Sequence, residues 1–301
     1  MGCSDGRTVE GKPKENHGFP VCKFTIPLTK PTDAIKAVSD DQILLGAKDE
    51  IEILEISTKN ITAYSKEHVG RINSFVKMTS GNIATAGQDK SIKVWDLSKK
   101  ESLMTFTGHK SMIWTMTEIQ GNKLMTGGSD KIVKIWDVNT QKEEGEFYKG
   151  NNEISVSLQL KSGKIVLCCG TKLILFDYDT KKEEKNLDIP SGVWAITQLK
   201  NGDILAGLGN GNLAVIDEKE LTIKKTLDNG HKRSCTCVIE LDNSKVVSAC
   251  DTENDLILWD LTDPTKKYVI QGHTAPVLAL TFISGRKFAS TSEDKTLKIW
   301  E

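Results

Sequence analysis

Along most of this chain apolar and polar side chains alternate one by one in short runs. Ile92-Lys93-Val94, Val133-Lys134-Ile135 and Leu297-Lys298-Ile299 each place apolar groups on one side and a lysine on the other. A period of two is that of a strand with one buried and one wet face. Turn signals separate the runs, at Gly81-Asn82, Gly121-Asn122, Ser162-Gly163, Asn201-Gly202, Asp242-Asn243 and Ser284-Gly285. Tighter turns are expected at Gln88-Asp89-Lys90, Ser129-Asp130-Lys131 and Glu293-Asp294-Lys295. No segment carries a long amphipathic helical stripe. The pattern predicts an all-β protein of short, evenly spaced strands.

The strands group into units of fixed length. Trp95-Asp96 and Trp136-Asp137 are 41 residues apart, as are Trp259-Asp260 and Trp300-Glu301, and the gap between the two pairs is 123, or three times 41. Carrying the period through the rest of the chain lands on Leu54-Glu55, Phe176-Asp177 and Ile216-Asp217. Seven anchors result, each large and apolar and each followed by an acid. A period of this length marks a repeat architecture. A second marker precedes several anchors: His68, His109 and His273 lie 27 residues before their Trp, and His231 lies 28 before Trp259. Between them sits a hydroxyl residue four positions ahead of an acid: Thr85 with Asp89, Thr126 with Asp130, Ser290 with Asp294.

Gly-His, about 27 residues, then Trp-Asp, in units near 41 residues, resembles the WD-repeat family of β-propellers across residues 19–301. The resemblance implies seven blades of four antiparallel strands around a central channel. The chain stops at Trp300-Glu301, in the third strand of the last blade. The alternating stretch Val21-Cys22-Lys23-Phe24-Thr25-Ile26-Pro27-Leu28 is therefore expected to supply that blade's outer strand and close the ring.

The recurring Asp, His and Ser or Thr have the composition of a hydrolase triad. Their recurrence beside a Trp in several units, without a GxSxG nucleophile elbow, argues for a framework role. In the family the four side chains form a buried hydrogen-bonded chain. The resemblance gives three full tetrads: His68, Thr85, Asp89 and Trp95; His109, Thr126, Asp130 and Trp136; His273, Ser290, Asp294 and Trp300. The unit ending at Trp259 has His231 and Ser248, but an extra residue moves its acid, with Asp251 as the expected partner. Three units carry Pro27, Lys149 and Ile189 at the His position and are expected to rely on apolar packing alone.

Once the four anchors are assigned, Trp114 and Trp194 remain. They lie 80 residues apart, at one shared place five residues after the His position. The other units have Asp33, Asn73, Ser155, Thr236 and Leu278 there. In WD-repeat proteins this place opens the inner strand and rims the channel on the face used for peptide binding. The resemblance thus implies a partner-binding rim of Trp114, Trp194, Asp33, Asn73, Thr236 and Leu278, with Arg71, Met112 and Arg233 nearby. Two Trp at a concave rim suit an apolar or cationic side chain.

Composition narrows the function classes. Formal net charge is −1, with no long run of one sign, so whole-surface attraction to DNA, RNA or anionic membrane is disfavoured. A local basic patch of Arg71, Lys110, Lys232 and Arg233 leaves an RNA- or ribosome-associated role as the alternative. No apolar run has the roughly 18 residues of a membrane span, and no secretory h-region opens the chain. The seven cysteines are odd in number and form no CxxC pairs, which fits a reducing compartment and neither a disulfide framework nor a metal site. No cofactor is expected.

Residues 1–18 fall outside the repeat and read as a disordered tail. Met1-Gly2-Cys3 resembles the start of dually acylated proteins, with Gly2 and Cys3 as the lipidation sites, though Gly6 stands where Ser or Thr is usual. The expectation is a monomeric, non-enzymatic scaffold or adaptor. It would be cytoplasmic, and membrane-associated only if both lipids are attached. An enzyme acting at the channel mouth is a weaker alternative.

Overall fold

The computed structural model describes residues 19–99, 101–242 and 244–301. Gly2 and Cys3, with the rest of the expected tail, lie outside them. The described residues form seven four-stranded antiparallel sheets. In chain order the blades span residues 34–65, 72–107, 113–149, 154–188, 193–227, 235–270 and 277–300. Among the described residues no helix is long and apolar enough to cross a membrane.

The last blade is completed as expected. Cys22–Pro27 pairs antiparallel with Thr296–Trp300, from Cys22 opposite Trp300 to Pro27 opposite Thr296. The pairing continues beyond both ends of the strand. Val21 N donates to Glu301 O (2.8 Å), Glu301 N to Val21 O (3.1 Å), and Leu28 N to Lys295 O (2.8 Å). Both ends of the repeat region are thus held in one sheet.

The core is divided among seams. Seven clusters of buried apolar residues lie one at each of the seven blade junctions. Each anchor belongs to the seam with the preceding blade: Trp95 joins Val38, Leu44 and Tyr64 of blade 1, and Trp136 joins Met78, Val94 and Phe106 of blade 2. Leu54 likewise joins Ala289 and Leu297 of blade 7. This is why the anchors recur in every unit. A single blade cannot cover its own apolar faces, so each supplies a plug for its neighbour.

A second set of ties crosses the seams four residues after the rim positions. Lys77 Nζ donates to Val38 O (2.6 Å), and Glu118 accepts from Thr79 N (2.9 Å). Gln159 accepts from Gln120 N (2.9 Å), Gln198 from Lys161 N (2.8 Å) and Glu240 from Lys200 N (2.9 Å). Each side chain reaches back to the preceding blade. Ala37 and Phe282 hold this place in blades 1 and 7, and there Ala37 N donates to Thr281 Oγ1 instead (3.0 Å).

Candidate functional site

The tetrads are built alike. In blade 2 Trp95 Nε1 donates to Thr85 Oγ1 (2.8 Å), which lies 2.7 Å from His68 Nε2, and His68 Nδ1 lies 2.8 Å from Asp89 Oδ2. Blade 3 repeats this with Trp136, Thr126, His109 and Asp130 at 2.7, 2.7 and 2.8 Å. Blade 7 repeats it with Trp300, Ser290, His273 and Asp294 at 2.8, 2.7 and 2.8 Å. One donor direction satisfies every group. The indole N–H gives to the hydroxyl, the hydroxyl to Nε2, and Nδ1–H to the carboxylate. The carboxylate also fixes two loops. Asp130 Oδ2 accepts from Lys110 N (2.8 Å) and its Oδ1 from Ile132 N (3.2 Å), bracketing Lys131 at φ 67°.

Blade 6 corrects one expectation. The acid bound to His231 is Glu253, at 2.7 Å from Nδ1, and not Asp251. The extra residue places the acid five positions after Ser248, and the longer side chain restores the reach. Ser248 takes the Trp259 N–H at 2.8 Å and lies 2.9 Å from His231 Nε2.

Burial lowers the His109, His231 and His273 pKa values, with the partner carboxylates working against it. For Asp294 burial works upward, but bonds from Thr296, Thr274 N and His273 prevail and hold its carboxyl at about 2. The hydroxyls of Thr85, Thr126, Ser248 and Ser290 belong to residues with no exposed surface. Both nitrogens of each tetrad histidine are engaged. These groups have neither the access nor the spare base of a nucleophilic triad. His231, Cys250 and Glu253 offer ligand atoms within 4.8 Å of one another, but this trio is two members of the blade 6 tetrad plus a neighbouring thiol. Cys235 and Cys237 are not part of it.

The rim residues fall into three groups that share members, since Asp33, Leu278 and Trp114 also line the channel. On the seam of blades 7, 1 and 2, Asp33, Arg71 and Leu278 line an open cavity of about 660 Å³ with Lys30, Lys48, Gln88 and Glu293. Arg71 Nε is 3.2 Å from Asp33 Oδ2. Burial pushes the Asp33 carboxyl above its ordinary range, against the pull of Arg71. Asn73 and Thr236 line the channel. Asn73 Nδ2 is committed to Ile113 O at 2.8 Å, whereas the buried Thr236 Oγ1 has no hydrogen-bond partner among the described residues. Met112 and Arg233 sit in the loops before their inner strands, Met112 O accepting from Ser129 N at 3.0 Å and Arg233 exposed.

The third group is a single pocket. Trp114 of blade 3, Ser155 of blade 4 and Trp194 of blade 5 line a cavity of about 230 Å³ together with Asn152, Glu153, Gly170, Gly192 and Val193. Curvature of the ring brings the two Trp to opposite sides of the intervening blade. Ser155 leaves the floor low, and its hydroxyl turns sideways to Val193 O at 2.6 Å. Gly170 stands beside it at φ 64°, where a Cβ would lie 2.7 Å from Asn152 Nδ2. The Trp114 indole N–H is shared between Ser129 Oγ (2.8 Å) and Glu153 Oε2 (3.2 Å), which fixes that ring. Trp194 is 49% exposed, and its indole N–H has no acceptor among the described residues. Sequence spacing pointed to both Trp. Glu153 holds the place two residues before the rim position that Arg71 and Met112 hold in their units, but spacing alone did not single out its carboxylate.

A family model described as "WD domain, G-beta repeat" matches residues 60–96, 100–137 and 264–301. These are the units ending at Trp95, Trp136 and Trp300, the three in which an Asp completes the tetrad. Among curated relatives, "WD repeat-containing protein 37" of Homo sapiens and of Xenopus tropicalis is 30% identical over 92 residues, covering 30% of this chain and 18% of each relative. "Autophagy-related protein 16" of Arabidopsis thaliana is 24% identical over 108 residues, covering 35% of this chain and 21% of that protein. The matched part spans about a fifth of these relatives' length.

Proposed function

We propose that this chain, a WD-repeat β-propeller, is a non-catalytic scaffold that binds a peptide or protein segment across the Trp114–Trp194 pocket. The observation that carries this reading is Trp194: a large apolar ring, half exposed, beside a second Trp at a concave rim. Trp is over-represented in the centres of protein interfaces and depleted from ordinary surface. Covering the open half of such a ring contributes roughly 2–3 kcal/mol, enough to anchor a segment whose other contacts are weak. The rigid ring supplies the preorganisation, since the Trp114 indole and the Ser155 hydroxyl are each already held by two acceptors.

The basic-patch alternative has less support. Arg71 is engaged with Asp33, which reduces what it can offer to a phosphate. The test is affinity capture from the native source with the double variant Trp114→Ala, Trp194→Ala. The expected result is loss of most partners at an unchanged thermal midpoint. A folded double variant that retains its full partner set overturns the reading.

A further inference from the structure

We infer that the pocket between Trp114 and Trp194 takes a basic side chain, arginine or lysine, of the bound segment, with Glu153 as its counter-ion. This rests on the reading of the rim as a peptide site and specifies what enters it. Three observations carry it. First, two indole rings line the cavity, and an indole face attracts cations more strongly than any other aromatic side chain does. Second, Glu153 lies at the pocket with one carboxylate oxygen on the Trp114 N–H, leaving the other for a ligand. Third, Glu153 is exposed and forms no ion pair among the described residues, although acids elsewhere on the outer surface are commonly matched. Examples are Lys164 with Glu184 at 2.6 Å and Lys224 with Asp203 at 2.6 Å.

The geometry favours a cation over a purely apolar group. An aliphatic side chain would remove water from Glu153 without replacing it, leaving a carboxylate with only a shared indole donor. A guanidinium can lie flat against one ring and fork onto the carboxylate, and an ammonium can do the same as a point charge. A cavity of about 230 Å³ has room for the end of a long side chain, and among the described residues no lysine or arginine lines it.

The test titrates ¹⁵N-labelled protein with blocked pentapeptides Gly-Gly-Xaa-Gly-Gly, where Xaa is arginine, lysine, norleucine or glutamate. The readout is the two indole N–H resonances assigned to Trp114 and Trp194 by single Ala variants. Arginine and lysine peptides are expected to shift both resonances saturably, at least fivefold more tightly than norleucine. Their affinity should fall with added salt, and Glu153→Gln should weaken them by about three- to tenfold. Equal or tighter binding of norleucine or glutamate overturns the inference, as does unchanged arginine affinity in Glu153→Gln or no shift with any peptide. Capture with Glu153→Gln separates the two readings. If partners are lost with the Trp double variant but fully kept with Glu153→Gln, the rim stands as a binding site and the basic side chain does not.

Discussion

Blades 3 and 5 solve one packing problem with opposite chemistry. At three equivalent positions blade 3 has His109, Thr126 and Trp136, joined by hydrogen bonds, and blade 5 has Ile189, Ala206 and Ile216. All three of the latter are buried in one apolar cluster with Leu208 and Val193. Blade 5 has not lost parts of a tetrad; it has exchanged the whole set. A buried polar network is favourable when every member is satisfied and costly when one is removed, so partial replacement is the poor solution. Blade 6 shows the same constraint from the polar side. An added residue displaced the acid, and Glu253 restored the contact.

The expectation that tetrad-free blades rely on apolar packing alone needs correction. Blade 5 also holds Lys224 between Asp203 (2.6 Å) and Asp217 (2.7 Å), and blade 1 pairs Lys30 with Glu50 (2.6 Å). These pairs are partly exposed, where such interactions are individually weak. The apolar seams remain the main support of those blades.

The largest expected effect tests whether a tetrad can hold a blade that lacks its outer strand. Deleting residues 19–28 strips the outer strand from blade 7 and removes Ile26 and Leu28 from the seam with blade 1. At about 2–5 kcal/mol for each buried aliphatic side chain, the loss should exceed about 5 kcal/mol. Calorimetry should show the main transition lowered by more than 10 °C or absent, roughly as that loss implies. An unchanged midpoint would mean that the tetrad and apolar seams suffice without closure.

Substitutions at matched positions sharpen the contrast between blades 3 and 5. Ile189→Ala should cost about 2–5 kcal/mol, as a cavity in a closed apolar seam. Thr126→Val should cost about 1–3 kcal/mol, because His109 Nε2 and the Trp136 N–H lose their shared oxygen. Ala206→Ser should also destabilise, by about 1–3 kcal/mol, since it buries a hydroxyl without the network that would use it. Denaturant unfolding measures all three. A stabilising Ala206→Ser would refute the all-or-none account.

Acid should act on the tetrad blades more than on blade 5. Three tetrad histidines have folded pKa values below the ordinary value of about 6.5. Between the folded and unfolded values the unfolded chain binds more protons, so stability is full above about pH 6.5 and declines as pH falls below it. The depressed Asp294 carboxyl extends the loss, from its unfolded value near 3.9 toward its folded value of about 2. Unfolding curves from pH 7 to 4 should show this decline, and His109→Gln should make it shallower. A midpoint independent of pH over that range would contradict neutral buried histidines.

The smallest expected effect lies at the opposite mouth of the channel. Gln159→Ala removes one partly exposed tie to Gln120 N and should cost about 0.5–1.5 kcal/mol. A larger loss would mean that the ring of ties, rather than the seams, sets the geometry of blades 3 and 4.

The repeat made most of the architecture readable. Seven copies of a weak pattern reinforce one another, so even Leu54 and Ile216, which lack a Trp, could be located by period alone. Glu253 escaped because the extra residue and the change of acid altered the spacing and the residue type together. The ties through Lys77, Glu118, Gln159, Gln198 and Glu240 escaped because position is kept while chemistry varies. Each tie crosses to another blade, where the partner is a backbone group without a sequence signature.

The sequence by itself determined the number of blades, the framework side chains and the shared register of Trp114 and Trp194, since local period and residue type specify these. Only the tertiary structure decided that the two Trp face one pocket over Ser155, with Glu153 beside them. The reason is geometric. Distances between residues of different blades depend on the curvature of the closed ring, and that curvature is set by all seven seams at once.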